Sequence, residues 1–163
     1  MVHLDFPQRE MAIKLVYYGP AHSGKTTNLK TLYEKTDPKL RGKMMSLATQ
    51  TERTLFFDFV PMALGRIKTL DTRFNFYTVP GQSFYNLSRK AILKDVDGVV
   101  FVADSQADRF EANVDSFINL QENLQEMKLQ LPDVPHVIQY NKRDLSPIST
   151  VEKLRRELNR LQV

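Results

Sequence analysis

Gly19-Pro20-Ala21-His22-Ser23-Gly24-Lys25-Thr26 has the spacing G-x-x-x-x-G-K-[ST] of a loop that wraps phosphate groups. Backbone N–H groups can line up around an anion only where the chain turns sharply on glycine, and a helix starting at that point aims its dipole at the same charge. The flanks supply both conditions. Upstream, Met11-Ala12-Ile13-Lys14-Leu15-Val16-Tyr17-Tyr18 is apolar and rich in β-branched and aromatic residues, as a buried strand requires. Downstream, Leu29, Leu32 and Tyr33 fall on one face of a helix that starts at the loop. The phosphate-binding candidates are therefore Gly19, Ala21, His22, Ser23, Gly24, Lys25, Thr26 and Thr27. In such a loop the Lys25 ammonium neutralises charge between the β- and γ-phosphates, and the Thr26 hydroxyl coordinates Mg²⁺.

Beyond this loop, strand and helix patterns alternate, which predicts an α/β fold with a mostly parallel sheet and helices on both faces. The segment 37–43 reads as a loop. Two aromatic strands, 54–60 and 72–79, are expected to form an antiparallel hairpin at the sheet edge, joined across Pro61, Gly65 and Asp71. Pro80-Gly81 stops the second of these, and Phe84, Leu87 and Ala91 mark a helix. A central strand over 96–104 follows, then a helix over 108–128 with Phe110, Val114, Phe117, Leu120, Leu124 and Met127 facing the core. The strand 135–140 delivers Asn141 at its carboxyl end, the edge where open α/β sheets bind ligands. A capping box, Ser149-Thr150-Val151-Glu152, opens a last helix whose apolar face is Val151, Leu154, Leu158 and Leu161.

The 163 residues, 42% of them hydrophobic, suffice for one core, so residues 1–163 are expected to form a single domain. A net charge of +4 is spread over 23 basic and 19 acidic residues with no basic run, which describes a mixed solvated surface rather than a nucleic-acid face. The absence of cysteine leaves no disulfide framework or thiolate metal site, in keeping with a cytoplasmic location. His3, His22 and His136 have no ligand spacing. No stretch has the roughly 18 apolar residues of a membrane span, and with neither cysteine nor a glycine at position 2 there is no lipidation motif. Membrane association is thus expected only through a partner.

The order strand, phosphate loop, helix, hairpin, Pro-Gly-Gln, helix, strand, helix, strand, Asn-Lys-x-Asp resembles the Ras-like small GTPases, a branch of the P-loop NTPases. Within them, Thr78-Val79-Pro80-Gly81-Gln82, Tyr17-Tyr18-Gly19-Pro20 and Glu52-Arg53-Thr54-Leu55-Phe56-Phe57-Asp58 are most similar to the bacterial MglA type, switches of polarity and gliding motility. The resemblance implies a cycle between GTP and GDP with Mg²⁺, and GTP hydrolysis as the reaction. It implies that Asn141, Lys142 and Asp144 read guanine: Asp144 accepts two hydrogen bonds from the base edge, and Asn141 and Lys142 tie the base loop to the phosphate loop. A buried acceptor left unpaired by the wrong base discriminates by a factor of order 10⁴ in the most selective sites. Gln82 matches the glutamine that positions the attacking water, Gly81 offers its N–H to the γ-phosphate, and Arg53 matches an intrinsic arginine finger. Thr54 is the switch threonine expected on Mg²⁺ beside Thr26, with Thr49 and Thr51 as neighbouring alternatives. The implied partners are an activator of the Roadblock-fold MglB kind and effectors that read the segment from Leu47 to Asp58 and the stretch after Gly81.

Three departures from the family pattern stand in the sequence. Thr78 occupies the place of the aspartate in the usual Asp-x-x-Gly, which removes an outer anchor of the metal. Ala21 replaces a glycine in the phosphate loop, and its methyl group is expected to crowd the transition state and slow turnover. After Asp144 the sequence holds one more helix, without the family's last strand and helix. The first departure is one that MglA-type proteins share; Ala21 and the missing last strand make a GTP/GDP-binding platform with negligible turnover an alternative expectation. A P-loop kinase or ATPase is the third class, disfavoured by Asn141 and Asp144.

Overall fold

The computed structural model describes residues 2–7, 9–47, 57–82 and 85–158. Its strands are β1 (His3–Asp5), β2 (Glu10–Tyr18), β3 (Met45–Leu47), β4 (Phe57–Ile67), β5 (Leu70–Thr78), β6 (Gly98–Asp104) and β7 (His136–Asn141). Helices are α1 (Lys25–Lys35), α2 (Asn86–Leu93), α3 (Phe110–Glu126) and α4 (Val151–Leu158). All seven strands join one sheet of order β3-β4-β5-β2-β6-β7, with β1 paired to β2 off this path. The inner four, β5-β2-β6-β7, are parallel; β4 and β3 add the antiparallel edge, and β1 runs antiparallel along the first residues of β2.

Strand alternation divides the interior between the two faces of the sheet. Val16 and Tyr18 of β2 join Val99, Phe101 and Ala103 of β6 and the inner residues of α2, α3 and α4. The intervening Leu15 and Tyr17 pack on the opposite face with Phe76, Val60, Met62 and Leu29 of α1. On α3 the expected stripe is the core face: Phe117, Leu120 and Leu124 are buried, and Phe110, Val114 and Met127 pack against them. Among the described residues no helix is long and apolar enough to cross a membrane.

Several sequence expectations need correction. Pro61, Gly65 and Asp71 are not in a connector, because β4 runs on to Ile67, β5 begins at Leu70 and the hairpin turns at Lys68-Thr69. Pro61 is tolerated inside the strand because its carbonyl, and hence the side where its N–H is missing, faces Gly42 (2.8 Å) rather than β5. Gly65 falls in the β4/β5 irregularity between Ala63 and Arg66. The helix after Pro80-Gly81 exists but turns another face inward: Leu87 is 84% exposed and Ala91 is exposed, while Arg89, Ile92 and Leu93 are buried. A periodicity count that scores arginine as polar selects the wrong face. The last helix is capped one residue later than expected, since the Thr150 hydroxyl accepts the Lys153 N–H at 3.2 Å. Ser149 instead gives its carbonyl to Arg143 (2.6 Å). Residues 54–56, Phe84 and Leu161 lie outside the described residues.

Candidate functional site

At the carboxyl end of β2 the chain enters the phosphate loop, and α1 begins at Lys25 directly behind it. Gly24, the N-cap of α1, has φ +99°, and a Cβ there would stand 2.3 Å from the Asn141 side-chain nitrogen, so the position admits only glycine. His22 also adopts a left-handed backbone, φ 63°. The first turn of α1 leaves N–H groups with no intrahelical acceptor, as every helix start does. Ala21, His22, Gly24, Lys25, Thr26 and Thr27 line one side of a cleft of about 640 Å³, the size of a small-molecule site. Its other walls are Ser46, Phe57, Asp58 and the run from Thr78 to Gln82, with Tyr85.

Lys25 is buried, and its ammonium donates to the Gly19 (2.9 Å) and Pro20 (2.7 Å) carbonyls, both neutral. Burial, with the Arg89 charge adding to it, pushes its pKa down to about 7. A cation held this way, beside helix-start N–H groups and with no carboxylate paired to it among the described residues, fits an anion such as a phosphate.

A carboxylate does enter the cleft, from a position to which the sequence motifs gave no metal role. Asp58 of β4, 9% exposed, accepts hydrogen bonds from Thr26 Oγ1 (2.6 Å), Ser46 Oγ (2.6 Å) and Thr78 Oγ1 (2.9 Å), and its own N–H donates to Thr78 Oγ1 (2.9 Å). Thr78 is the residue standing where the family carries its aspartate. The lost carboxylate is thus matched by one on the neighbouring antiparallel strand, and the all-oxygen set of Thr26, Asp58 and Ser46 suits a hard cation such as Mg²⁺. The signal in the sequence was the alternation that places Asp58 in phase with the buried Val60 and Met62.

The structure brings Gly81 and Gln82 into the same cleft. Gly81 lies directly on the phosphate loop: a Cβ on it would stand 2.4 Å from Ala21 Cα and 2.6 Å from Ala21 N. The Ala21 carbonyl accepts from Arg109 (3.0 Å), which follows β6. Arg53, Thr54, Thr49 and Thr51 lie outside the described residues.

Of the residues expected to read the base, Asn141 ends β7 and its amide donates to the Ser23 carbonyl at 2.8 Å, which joins the base loop to the phosphate loop. Lys142, expected to share that task, does not reach the loop. Its ammonium pairs with the fully buried Asp104 at 2.7 Å. Although burial opposes ionisation of Asp104, the bonds from Lys142 and from the Gln106 backbone and side chain hold its carboxyl below the usual carboxylate range. Asp144 is exposed in the turn beyond β7, with no hydrogen bond to another described residue.

The sequence profile of the ADP-ribosylation factor family matches residues 2–163. The mutual gliding-motility protein MglA of Myxococcus xanthus (strain DK1622) is 57% identical over 159 residues, which cover 98% of this chain and 82% of that protein.

Proposed function

The chain belongs to the ADP-ribosylation factor family of small GTPases, and from that premise we propose that it is a Mg²⁺-dependent GTP-binding switch that hydrolyses GTP to GDP and signals to effectors in cell polarity or motility. The observation that carries this reading is the Asn141 amide seated on the phosphate loop, because it makes one site of the base-reading motif and the phosphate motif. Lys25 and the N–H groups of the loop and the helix start take the phosphates. Asp144, exposed and without a protein partner among the described residues, takes the guanine edge. Thr26 and Thr54 would hold Mg²⁺, which neutralises phosphate charge when bound, and Asp58 stands in for the carboxylate absent at Thr78. Gln82 orients the attacking water as the bond from the γ-phosphorus to the bridging oxygen breaks. Arg53 offers positive charge to the departing oxygens, an effect worth about 10³ to 10⁵ in rate where such an arginine reaches the transition state. The similarity to a gliding-motility protein supports the process; a cytoplasmic setting and an activator of the MglB kind belong to the same proposal.

The platform reading rests on the alanine at position 21 of the phosphate loop, against whose backbone Gly81 lies. Denaturing the purified protein and identifying the released nucleotide, followed by single-turnover GTP cleavage with and without Mg²⁺, separates the possibilities. Guanine nucleotide with Mg²⁺-dependent cleavage is the expected result. Guanine without cleavage establishes the platform, and adenine refutes both. An Asp144→Ala protein is expected to lose its preference for GTP over ATP while keeping its fold.

A further inference from the structure

Arg89 is a buried cation whose hydrogen-bond acceptors are all neutral. It is 3% exposed on the inner face of α2, where an aliphatic residue would pack at lower cost. Its Nε donates to the Pro80 carbonyl (2.9 Å), its Nη2 to the Gly81 carbonyl (2.6 Å) and its Nη1 to Asn119 Oδ1 (2.6 Å). The guanidinium carbon lies 5.4 Å from the centre of the Tyr18 ring. The same Asn119 oxygen accepts the Tyr18 hydroxyl (2.6 Å), and the Asn123 amide donates to that hydroxyl (3.0 Å) and to Asn86 Oδ1 (2.9 Å). The guanidinium is therefore fixed by α3 and by Tyr18, the last residue of β2, which leads into the phosphate loop.

The grip on two successive carbonyls has a geometric consequence. In a trans peptide the C=O and the N–H point in opposite directions. With the Pro80 and Gly81 carbonyls drawn onto the fork, the N–H groups of Gly81 and Gln82 face away from it. Neither donates to another described residue, and both residues line the cleft. The gripped residue is also the one that lies directly on Ala21.

We propose that Arg89 is the positioning residue for the γ-phosphate end of the site, its fork holding the Pro80 and Gly81 carbonyls so that the Gly81 and Gln82 N–H groups are presented to the terminal phosphate of a nucleoside triphosphate. This rests on the GTP reading above. Arg89 touches no phosphate itself, and a diphosphate offers nothing for those N–H groups to bind. Its influence falls on GTP and not on GDP. Asn119, a neutral acceptor, keeps the fork in place without neutralising it.

The test displaces a fluorescent GDP from the full chain, in Mg²⁺, with GDP and with a non-hydrolysable GTP analogue, for the parent, Arg89→Lys and Asn119→Ala. Lysine keeps the charge but cannot bridge two carbonyls. Arg89→Lys is expected to hold GDP within about twofold of the parent and the GTP analogue at least about tenfold more weakly, with a smaller split of the same sign in Asn119→Ala. Equal losses for both nucleotides, or no loss for either, overturn the proposal. If Arg89→Lys does not fold, Asn119→Ala decides alone by the same criterion. A parent that fails to bind the GTP analogue refutes the GTP reading along with this one, whereas a parent that binds it beside variants without a split refutes only the role of Arg89.

Discussion

Replacing Asp58 separates its structural part from its part in the metal site. The carboxylate accepts three hydroxyl groups, and these differ in what they can do without it. All three line the cleft, but Thr26 and Ser46 are open enough to turn to water, whereas Thr78 is 3% exposed and is not. In Asp58→Ala the Thr78 hydroxyl keeps the backbone N–H of residue 58 but loses the acceptor of its own proton, a cost of about 1–3 kcal/mol, and the two rehydrated hydroxyls cost somewhat under 1 kcal/mol each, roughly 3 kcal/mol together. For a chain of this length that lowers the melting temperature by about 6–12 °C. Asp58→Asn keeps the shape and one oxygen, and its hydroxyl partners can rotate to accept from the new amide, so the loss is about 1 kcal/mol. Both variants remove the negative charge. Outer-sphere groups of this kind govern metal affinity by about 10–100-fold, so the Mg²⁺ concentration that half-restores slow GDP release is expected to rise by that factor in Asp58→Asn even though the protein stays folded. Thermal melts without nucleotide and release of fluorescent GDP against free Mg²⁺ measure the two parts. An Asp58→Asn protein with the parent's Mg²⁺ midpoint would refute the substitution of Asp58 for the missing aspartate.

Lys142→Met leaves a fully buried carboxylate without its cation and is expected to cost about 2 kcal/mol, less than a completely buried pair because Lys142 is partly exposed. Since the folded Asp104 carboxyl lies below its unfolded pKa, this contribution is complete above roughly pH 4, the ordinary carboxylate value, and is lost as pH falls further, so urea melts of parent and variant converge in acid. Lys25→Ala is expected to weaken GTP and GDP by about 2–5 kcal/mol. Gln82→Leu, by contrast, is expected to leave binding near normal and slow single-turnover cleavage about a hundredfold; cleavage at the parent rate would remove Gln82 from the mechanism. Ala21→Gly is expected to speed cleavage without tightening GTP binding, and the gain is expected to vanish when Arg53 or Gln82 is also replaced, because all three act on one geometry. Independent effects in the double variants would refute that coupling.

The alternating architecture was legible because each strand of the parallel core is a continuous apolar run and each connection carries its own punctuation, from the glycine loop to Pro80-Gly81. Less legible were features decided by what lies across the sheet. The three-residue β1 is too short for periodicity and exists because β6 pairs β2 only from Leu15 onward, which leaves the first residues of β2 free on that side. Arg89 was invisible as a core residue because its burial depends on two carbonyls eight and nine positions earlier in the chain. Asp58 answers for Thr78 only through the β4/β5 register, and Lys142 meets Asp104 only because β6 and β7 end side by side. For β1, Asp58 and Lys142 the deciding partner is fixed by strand pairing, which a linear motif does not encode.

The contact between Asn141 and the glycine loop also bears on how the molecule is made. The amide that occupies the space beside Gly24 comes from 118 positions beyond its acceptor, Ser23, so the loop cannot take its final shape by local folding, however strong its turn signals. Closing so long a stretch delays such contacts relative to the hairpin and the helices, which form from neighbours in sequence. During synthesis the glycine loop leaves the ribosome early, yet it remains an unfinished cradle until β7 has emerged and docked against β6. Nucleotide capture by a nascent chain would therefore report that the parallel core is complete.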